Sequence, residues 1–223
     1  MTYEGLAVIF DMDGVLVDSY HAHFESWLAL ARECDFEFTE QDFATTFGRT
    51  SRDIIAHFWG EGLPDKRIAE MDLRKEALYR DLIRRDFPAM DGARELIRAL
   101  YEAGFRLAVG SSGPPENIQA TMEGLDMGEC FSATVTGQDV TRGKPDPQVF
   151  LIAAERLGLP PHRCAVVEDA PAGVEAANRA GMASVALTGT ASREKLAHAD
   201  LAVDSLLELS PEAIAALITK AHG

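Results

Sequence analysis

Short apolar runs and longer segments with apolar residues at helical spacing alternate along most of this chain, and that rhythm predicts its architecture. The first run, Leu6-Ala7-Val8-Ile9-Phe10, contains no polar residue and is followed by a turn at Gly14. It reads as a strand buried on both faces. From Asp91 onward, apolar strands at 105–109, 133–136, 164–167 and 183–187 alternate with helical patterns at 92–103, 116–124, 146–157 and 172–180. Gly104, Gly158 and Gly181 close three of those helices, as C-terminal glycines do. Alternation at these lengths predicts an α/β core with a parallel sheet, helices on both faces and right-handed crossovers.

Residues 18–88 follow another rule. Helical patterns cover 21–33, 41–47, 52–59 and the long, charged stretch 65–85. Phe24, Leu28 and Ala31 recur at helical spacing with Trp27 beside them, and no strand pattern appears before Phe87-Pro88. The expected organisation is one core, built from residues 1–17 and 89–223, interrupted by an all-helical domain at 18–88. From Arg193 onward a short strand and a helix are expected to close the core, with no chemistry of their own.

The 223 residues are enough to bury a sizeable core, and 47% hydrophobic content is ordinary for a globular protein. No apolar window reaches the roughly 18 residues of a membrane span. The beginning carries Glu4, Asp11 and Asp13 in place of a basic and then apolar leader, so no secretory signal is expected. Cys34, Cys130 and Cys164 are scattered and odd in number, which fits buried thiols in a reducing, cytoplasmic compartment. A net charge of −15 argues against a nucleic-acid surface. It leaves room for a small phosphate wherever a few cations converge. The sequence does not fix the oligomeric state, and a monomer is compatible with it.

Four loops should meet beyond the C-terminal ends of the strands, where open α/β sheets bind ligands. The first holds Asp11 and Asp13, a pair able to divide nucleophile and acid/base roles and to share a cation. An EF-hand is excluded there, because its fifth and sixth positions would be Val15 and Leu16. The second holds Ser111 and Ser112 ahead of a helix N-terminus, which favours anions. The third places Lys144 in Gly143-Lys144-Pro145-Asp146-Pro147, and the fourth is Glu168-Asp169. Each loop alone has an ordinary explanation as a turn, a cap or a solvated charge. All four in order, each at a strand end, do not.

These residues resemble the motifs of the haloacid dehalogenase-like phosphotransferase superfamily. The resemblance is carried by Asp11-Met12-Asp13-Gly14-Val15-Leu16-Val17-Asp18-Ser19, then Ser111, Lys144-Pro145, and Glu168-Asp169 with Ala172-Gly173. It implies a Rossmann-like core in which Asp11 attacks phosphorus and Asp13 serves as acid and base. Mg²⁺ would be held by Asp11, the Asp13 backbone carbonyl and Asp169, with Glu168 beside it. Ser111, the amide of Ser112 and Lys144 would hold the transferring phosphoryl group.

Within that superfamily the helical insertion resembles a mobile cap, with hinges near residues 17–19 and 87–91. His23, Arg52 and Lys75 resemble cap residues of the β-phosphoglucomutase subfamily, which implies substrate binding through the cap. One departure stands out. Where mutase-like loops carry polar groups for a second phosphate, this chain has Gly113, Pro114 and Pro115. The expectation is therefore a Mg²⁺-dependent phosphatase of a small phosphorylated metabolite, a sugar phosphate foremost. The alternatives are a sugar phosphomutase and a phosphoglycolate-type phosphatase. A silent binding module is disfavoured because every reacting group is present, and haloalkanoate dehalogenation because it does not need the second aspartate.

Overall fold

The computed structural model describes residues 2–46, 49–60 and 62–221. Phe47, the end of one predicted helix, and Gly48 lie outside them. The chain forms two compact units, one of Met1–Asp18 with Pro88–Gly223 and one of Ser19–Phe87.

The first unit holds a six-stranded, wholly parallel sheet in the order β3-β2-β1-β4-β5-β6. Its strands are β1 (Ala7–Phe10), β2 (Arg106–Gly110), β3 (Phe131–Val135), β4 (Cys164–Glu168), β5 (Ala183–Leu187) and β6 (Leu201–Val203). β1 lies between β2 and β4, and every one of its residues is fully buried. That burial is why its sequence is apolar without alternation. β3 is an edge strand whose Ser132 and Thr134 face out, and it starts two residues earlier than its apolar residues suggest.

The connecting helices are α5 (Ala93–Glu102), α6 (Pro115–Leu125), α7 (Gln148–Leu157) and α8 (Pro171–Arg179), followed by α9 (Pro211–Ala221). Right-handed crossovers put α5 and α6 on one face, because β1 to β3 run outward in one direction. β4 and β5 run the other way, so α7 and α8 cover the opposite face. There Ala7, Ile9, Ala108 and Val166 pack against Phe150, Ala153, Ala176 and Ala177. The strand order reverses at β1, which makes the crevice beyond its C-terminal end the natural ligand position.

The second unit is helical: α1 (Tyr20–Glu33), α2 (Glu40–Thr46), α3 (Ser51–Trp59) and α4 (Asp65–Arg85). Trp27, Leu30, Phe38, Phe43, Ile54, Ile55 and Met71 form its apolar interior. Thr50 caps α3, its hydroxyl accepting the Asp53 N–H at 3.2 Å. Among the described residues, no helix is long and apolar enough to cross a membrane.

Candidate active site

The site is built where β1 stops. Asp11 continues the sheet by donating its N–H to the Val167 carbonyl at 2.9 Å. The alternation of a strand then sets Asp11 and Asp13 to one side while Met12 turns into the core, fully buried. The chain bends back because the Met12 carbonyl accepts three N–H groups, from Val15 at 3.3 Å, Leu16 at 2.8 Å and Val17 at 3.2 Å. Gly14 has φ +73°, and a Cβ there would lie 2.0 Å from Asp169 Oδ2. Only glycine lets the first loop pass this close to the fourth.

β4 delivers the other two acids. Glu168 Oε2 accepts the N–H groups of Asp169 and Ala170, each at 2.9 Å, just before α8 begins. Its Oε1 accepts from Lys144 Nζ at 2.7 Å. Glu168 is thus held from both sides. α8 can approach it because residue 173 is glycine, whose Cβ would fall 1.7 Å from Glu168 Oε1.

Lys144 enters from the β3–α7 loop. Its ammonium donates to Asp11 Oδ1, to Glu168 Oε1 and, at 3.3 Å, to the Gly110 carbonyl, and lies 4.9 Å from the Phe150 ring centre. Ser111 follows β2 and is buried; its N–H donates to Val135 O at 3.0 Å, and its hydroxyl oxygen accepts the Gly113 N–H at 3.0 Å. Ser112 is exposed beside it.

Asp11, Glu168 and Asp169 each offer a carboxylate oxygen within 4.8 Å of the others. Lys144 pairs with two of these acids, so three carboxyl groups share one ammonium. Burial pushes the Asp11 carboxyl well above the usual carboxylate range, against the pull of Lys144 and with Glu168 and Asp169 adding repulsion. Burial and then Glu168 raise Asp169 to about 7, with Asp13 adding a smaller push. Burial alone would lower Lys144, but attraction to Asp11 and Glu168 holds its ammonium above the ordinary lysine range. Buried, all-oxygen and over-supplied with negative charge, the donor set fits a hard divalent cation.

The sequence-selected core residues Asp11, Lys144, Glu168 and Asp169 therefore converge, with Asp13 inside the same electrostatic field. His23, Arg52 and Lys75 belong to the helical unit, where His23 and Lys75 pair with each other. Lys75 is 2% exposed, yet it sits in a helix whose composition reads as solvated. Its Nζ is 2.8 Å from His23 Nδ1 and 2.9 Å from Glu76 Oε1, and 5.4 Å from the ring centres of both Trp27 and Tyr79. His23 stacks on Tyr79 at 4.0 Å. Arg52 is exposed at the start of α3 and acts on Asp72 through space.

Two participants escaped the sequence reading. Glu76 holds both Lys75 and, at 3.0 Å, the Ser51 hydroxyl. Thr190 Oγ1 comes within 3.0 Å of the point a Cβ on Gly14 would occupy, on the same glycine that Asp169 Oδ2 crowds. Its only signal was a hydroxyl beside a glycine just past β5, at the same sheet edge.

Comparison with known proteins agrees with this geometry. The sequence profile of the haloacid dehalogenase-like hydrolases matches residues 6–181. Validoxylamine A 7'-phosphate phosphatase of Streptomyces hygroscopicus subsp. limoneus is 35% identical, over 90% of this chain and 94% of that protein. Hexitol phosphatase A of Escherichia coli K12 is 34% identical, over 91% and 92%. A crystal structure of β-phosphoglucomutase from Clostridium difficile superposes with a TM-score of 0.82 at 25% identity, covering 99% of this chain and 98% of that one. With the profile spanning most of the chain and the motif residues gathered at one sheet edge, this protein belongs to the haloacid dehalogenase-like hydrolases, as an enzyme of their phosphatase and phosphotransferase type.

Proposed function

We propose that this enzyme is a Mg²⁺-dependent phosphate monoester hydrolase acting on a small phosphorylated metabolite, a sugar or polyol phosphate, through an aspartyl-phosphate. The observation that carries the reading is Asp11: a buried carboxylate at the end of the central strand, paired with Lys144 and two residues ahead of a second aspartate. Both relatives named above as phosphatases act, by their names, on phosphorylated polyhydroxy compounds.

In the first half-reaction an Asp11 oxygen attacks phosphorus and the ester P–O bond breaks. Asp13 gives its proton to the departing oxygen. In the second, Asp13 takes a proton from water, the water oxygen attacks the same phosphorus, and the Asp11–phosphorus bond breaks to release inorganic phosphate. Lys144, Ser111 and the Ser112 amide hold the phosphoryl oxygens and fix the line of attack, which is most of what phosphoryl transfer asks of a protein. Asp11, Asp169 and the Asp13 carbonyl would hold Mg²⁺, whose chemistry there is neutralisation of phosphoryl charge. Glu168, occupied by two amides and Lys144, keeps that lysine aimed.

In the helical unit, Arg52 would bind the substrate away from its phosphate, where a guanidinium suits oxyanions and hydroxyls. His23 and Lys75 would assist Asp13. Their hydrogen-bonded pairing supports a second reading, a sugar phosphomutase, in which a sugar hydroxyl replaces water in the second half-reaction. Gly113-Pro114-Pro115 favours water. Pro114 stands at the N-cap of α6 and Pro115 opens it, so that turn has two fewer N–H donors and no polar side chain for a second phosphate.

³¹P NMR with Mg²⁺, β-glucose 1-phosphate and a trace of glucose 1,6-bisphosphate separates the readings. Free phosphate as the main product is the expected result and justifies a wider panel of sugar and polyol phosphates. Accumulating glucose 6-phosphate with little free phosphate establishes the mutase. Failure to release phosphate from any member of the panel would falsify the hydrolase reading.

A further inference from the structure

The turn after β3 presses on the loop after β2, which carries Ser111 and Ser112. We propose that Gly137, in that turn, is a positioning residue for phosphoryl binding: having no side chain, it lets the Ser112–Gly113 peptide seat against the end of β3 and so aims the Ser111 hydroxyl. The inference rests on the reading of Ser111 as a holder of the transferring phosphoryl group, and it adds a residue that none of the four motifs includes.

Two backbone bonds clamp the β2 loop on either side of Ser112. The Ser111 N–H donates to Val135 O at 3.0 Å, and the Gly137 N–H donates to Gly113 O at 2.9 Å. Between the clamps the Ser112 carbonyl lies against residue 137. A Cβ there would stand 2.4 Å from Ser112 O and 3.1 Å from Ser112 C. Gly137 lies outside the left-handed region, so its backbone conformation does not demand glycine; the nearness of that carbonyl does. The atoms in the way are backbone, which cannot swing aside as the end of a side chain can.

The crowded carbonyl belongs to the same planar peptide as the Gly113 N–H. That N–H donates to Ser111 Oγ at 3.0 Å. The Ser111 oxygen is thus engaged as an acceptor, and its single O–H is left to donate elsewhere. Tilting the peptide to admit a Cβ would remove this restraint and misdirect the hydroxyl. The turn itself is braced from the exposed side. Asp139 donates its N–H to Thr136 O at 3.0 Å, and its Oδ2 accepts the Thr136 N–H at 2.8 Å and hydroxyl at 2.9 Å. Arg156 ties Asp139 Oδ1 to the Thr134 carbonyl by donating to both.

The test is isothermal titration of inorganic phosphate into the full-length protein in excess Mg²⁺, with melting curves to confirm folding. Gly137→Ala should raise the phosphate Kd roughly tenfold, as loss of one hydrogen bond to a charged group does. Ser111→Ala should do the same, and the double variant should lose little more than either, because Gly137 acts through Ser111. Titrated with MgCl₂ alone, Gly137→Ala should stay within about twofold of the parent, since the acidic cluster lies on other loops. Parent-like phosphate affinity in Gly137→Ala overturns the inference, and so do losses that add in full in the double variant. If Gly137→Ala does not fold, Asp139→Ala decides, because it loosens the same turn without adding bulk. A phosphate Kd raised about threefold there supports the inference, and an unchanged one overturns it. Phosphate binding that Ser111→Ala leaves unchanged, or a parent that binds none, removes the phosphoryl reading of Ser111 and the inference with it. Weakening by Ser111→Ala beside an unaltered Gly137→Ala removes the inference alone.

Discussion

Both units of this protein bury a lysine among acids, and they balance the charge in opposite ways. In the helical unit Lys75 has Glu76 and His23 at hydrogen-bond distance and two aromatic rings around it, so its ammonium is fully provided for. At the sheet edge Lys144 pairs with two of three clustered carboxyl groups, so the acids outnumber the cation. The first arrangement holds a fold together. The second costs stability until something positive arrives, which is how a binding site is stored in a folded chain. Removing a charge should therefore have opposite effects on stability in the two places.

The largest effect expected is on catalysis. Asp11→Asn should lower turnover by on the order of 10³-fold or more, because it removes the proposed nucleophile. Its melting temperature should stay level or rise, since Lys144 keeps Glu168 while one buried repulsion is relieved. Substantial residual turnover would remove Asp11 from the nucleophile's role.

Lys75→Met should act the other way. It takes the ammonium away from Glu76, whose side chain is only 14% exposed and which keeps the Ser51 hydroxyl, and should lower stability in chemical denaturation. Glu76→Gln should cost less, and the double variant less than the two added, because the residues share one interaction. If Asp11→Asn lowers the melting temperature as much as Lys75→Met, the contrast between the units collapses.

The smallest signal is chemical. Burial pushes the Cys164 thiol in β4 up to about 12 and raises Cys130 as well, whereas Cys34, just past α1 in the helical unit, is partly exposed. An aromatic disulfide reagent at neutral pH should modify Cys34 first and reach Cys164 only in denaturant. Equal rates at Cys34 and Cys164 would mean that the sheet opens as readily as the helices.

The core and its motif residues were legible because one physical signal served both. A strand buried on both faces must be apolar, so the first charged residues at its end mark the sheet edge, as Asp11, Glu168 and Asp169 do. β3 was read two residues late because an edge strand alternates, and the exposed Ser132 hides its start. The burial of Lys75 was not legible, since in a 21-residue helix of mostly charged positions only the tertiary contacts with Trp27, Tyr79 and His23 set it apart. Thr190 lies 21 positions beyond Asp169 in a hydroxyl-rich turn, and nothing local separates it from Thr188 or Ser192.

The strand order also decides which parts of the site can loosen. β1 is paired along both sides, so the backbone that carries Asp11 should exchange its amides only when the whole sheet opens. The loop that carries Thr190 is stapled to β6, a three-residue strand at the sheet's edge, where opening requires little. Fraying at that margin can loosen the loop after β5 while Asp11 stays in register. The sheet can thus breathe at one margin without unbuilding the strand that carries Asp11.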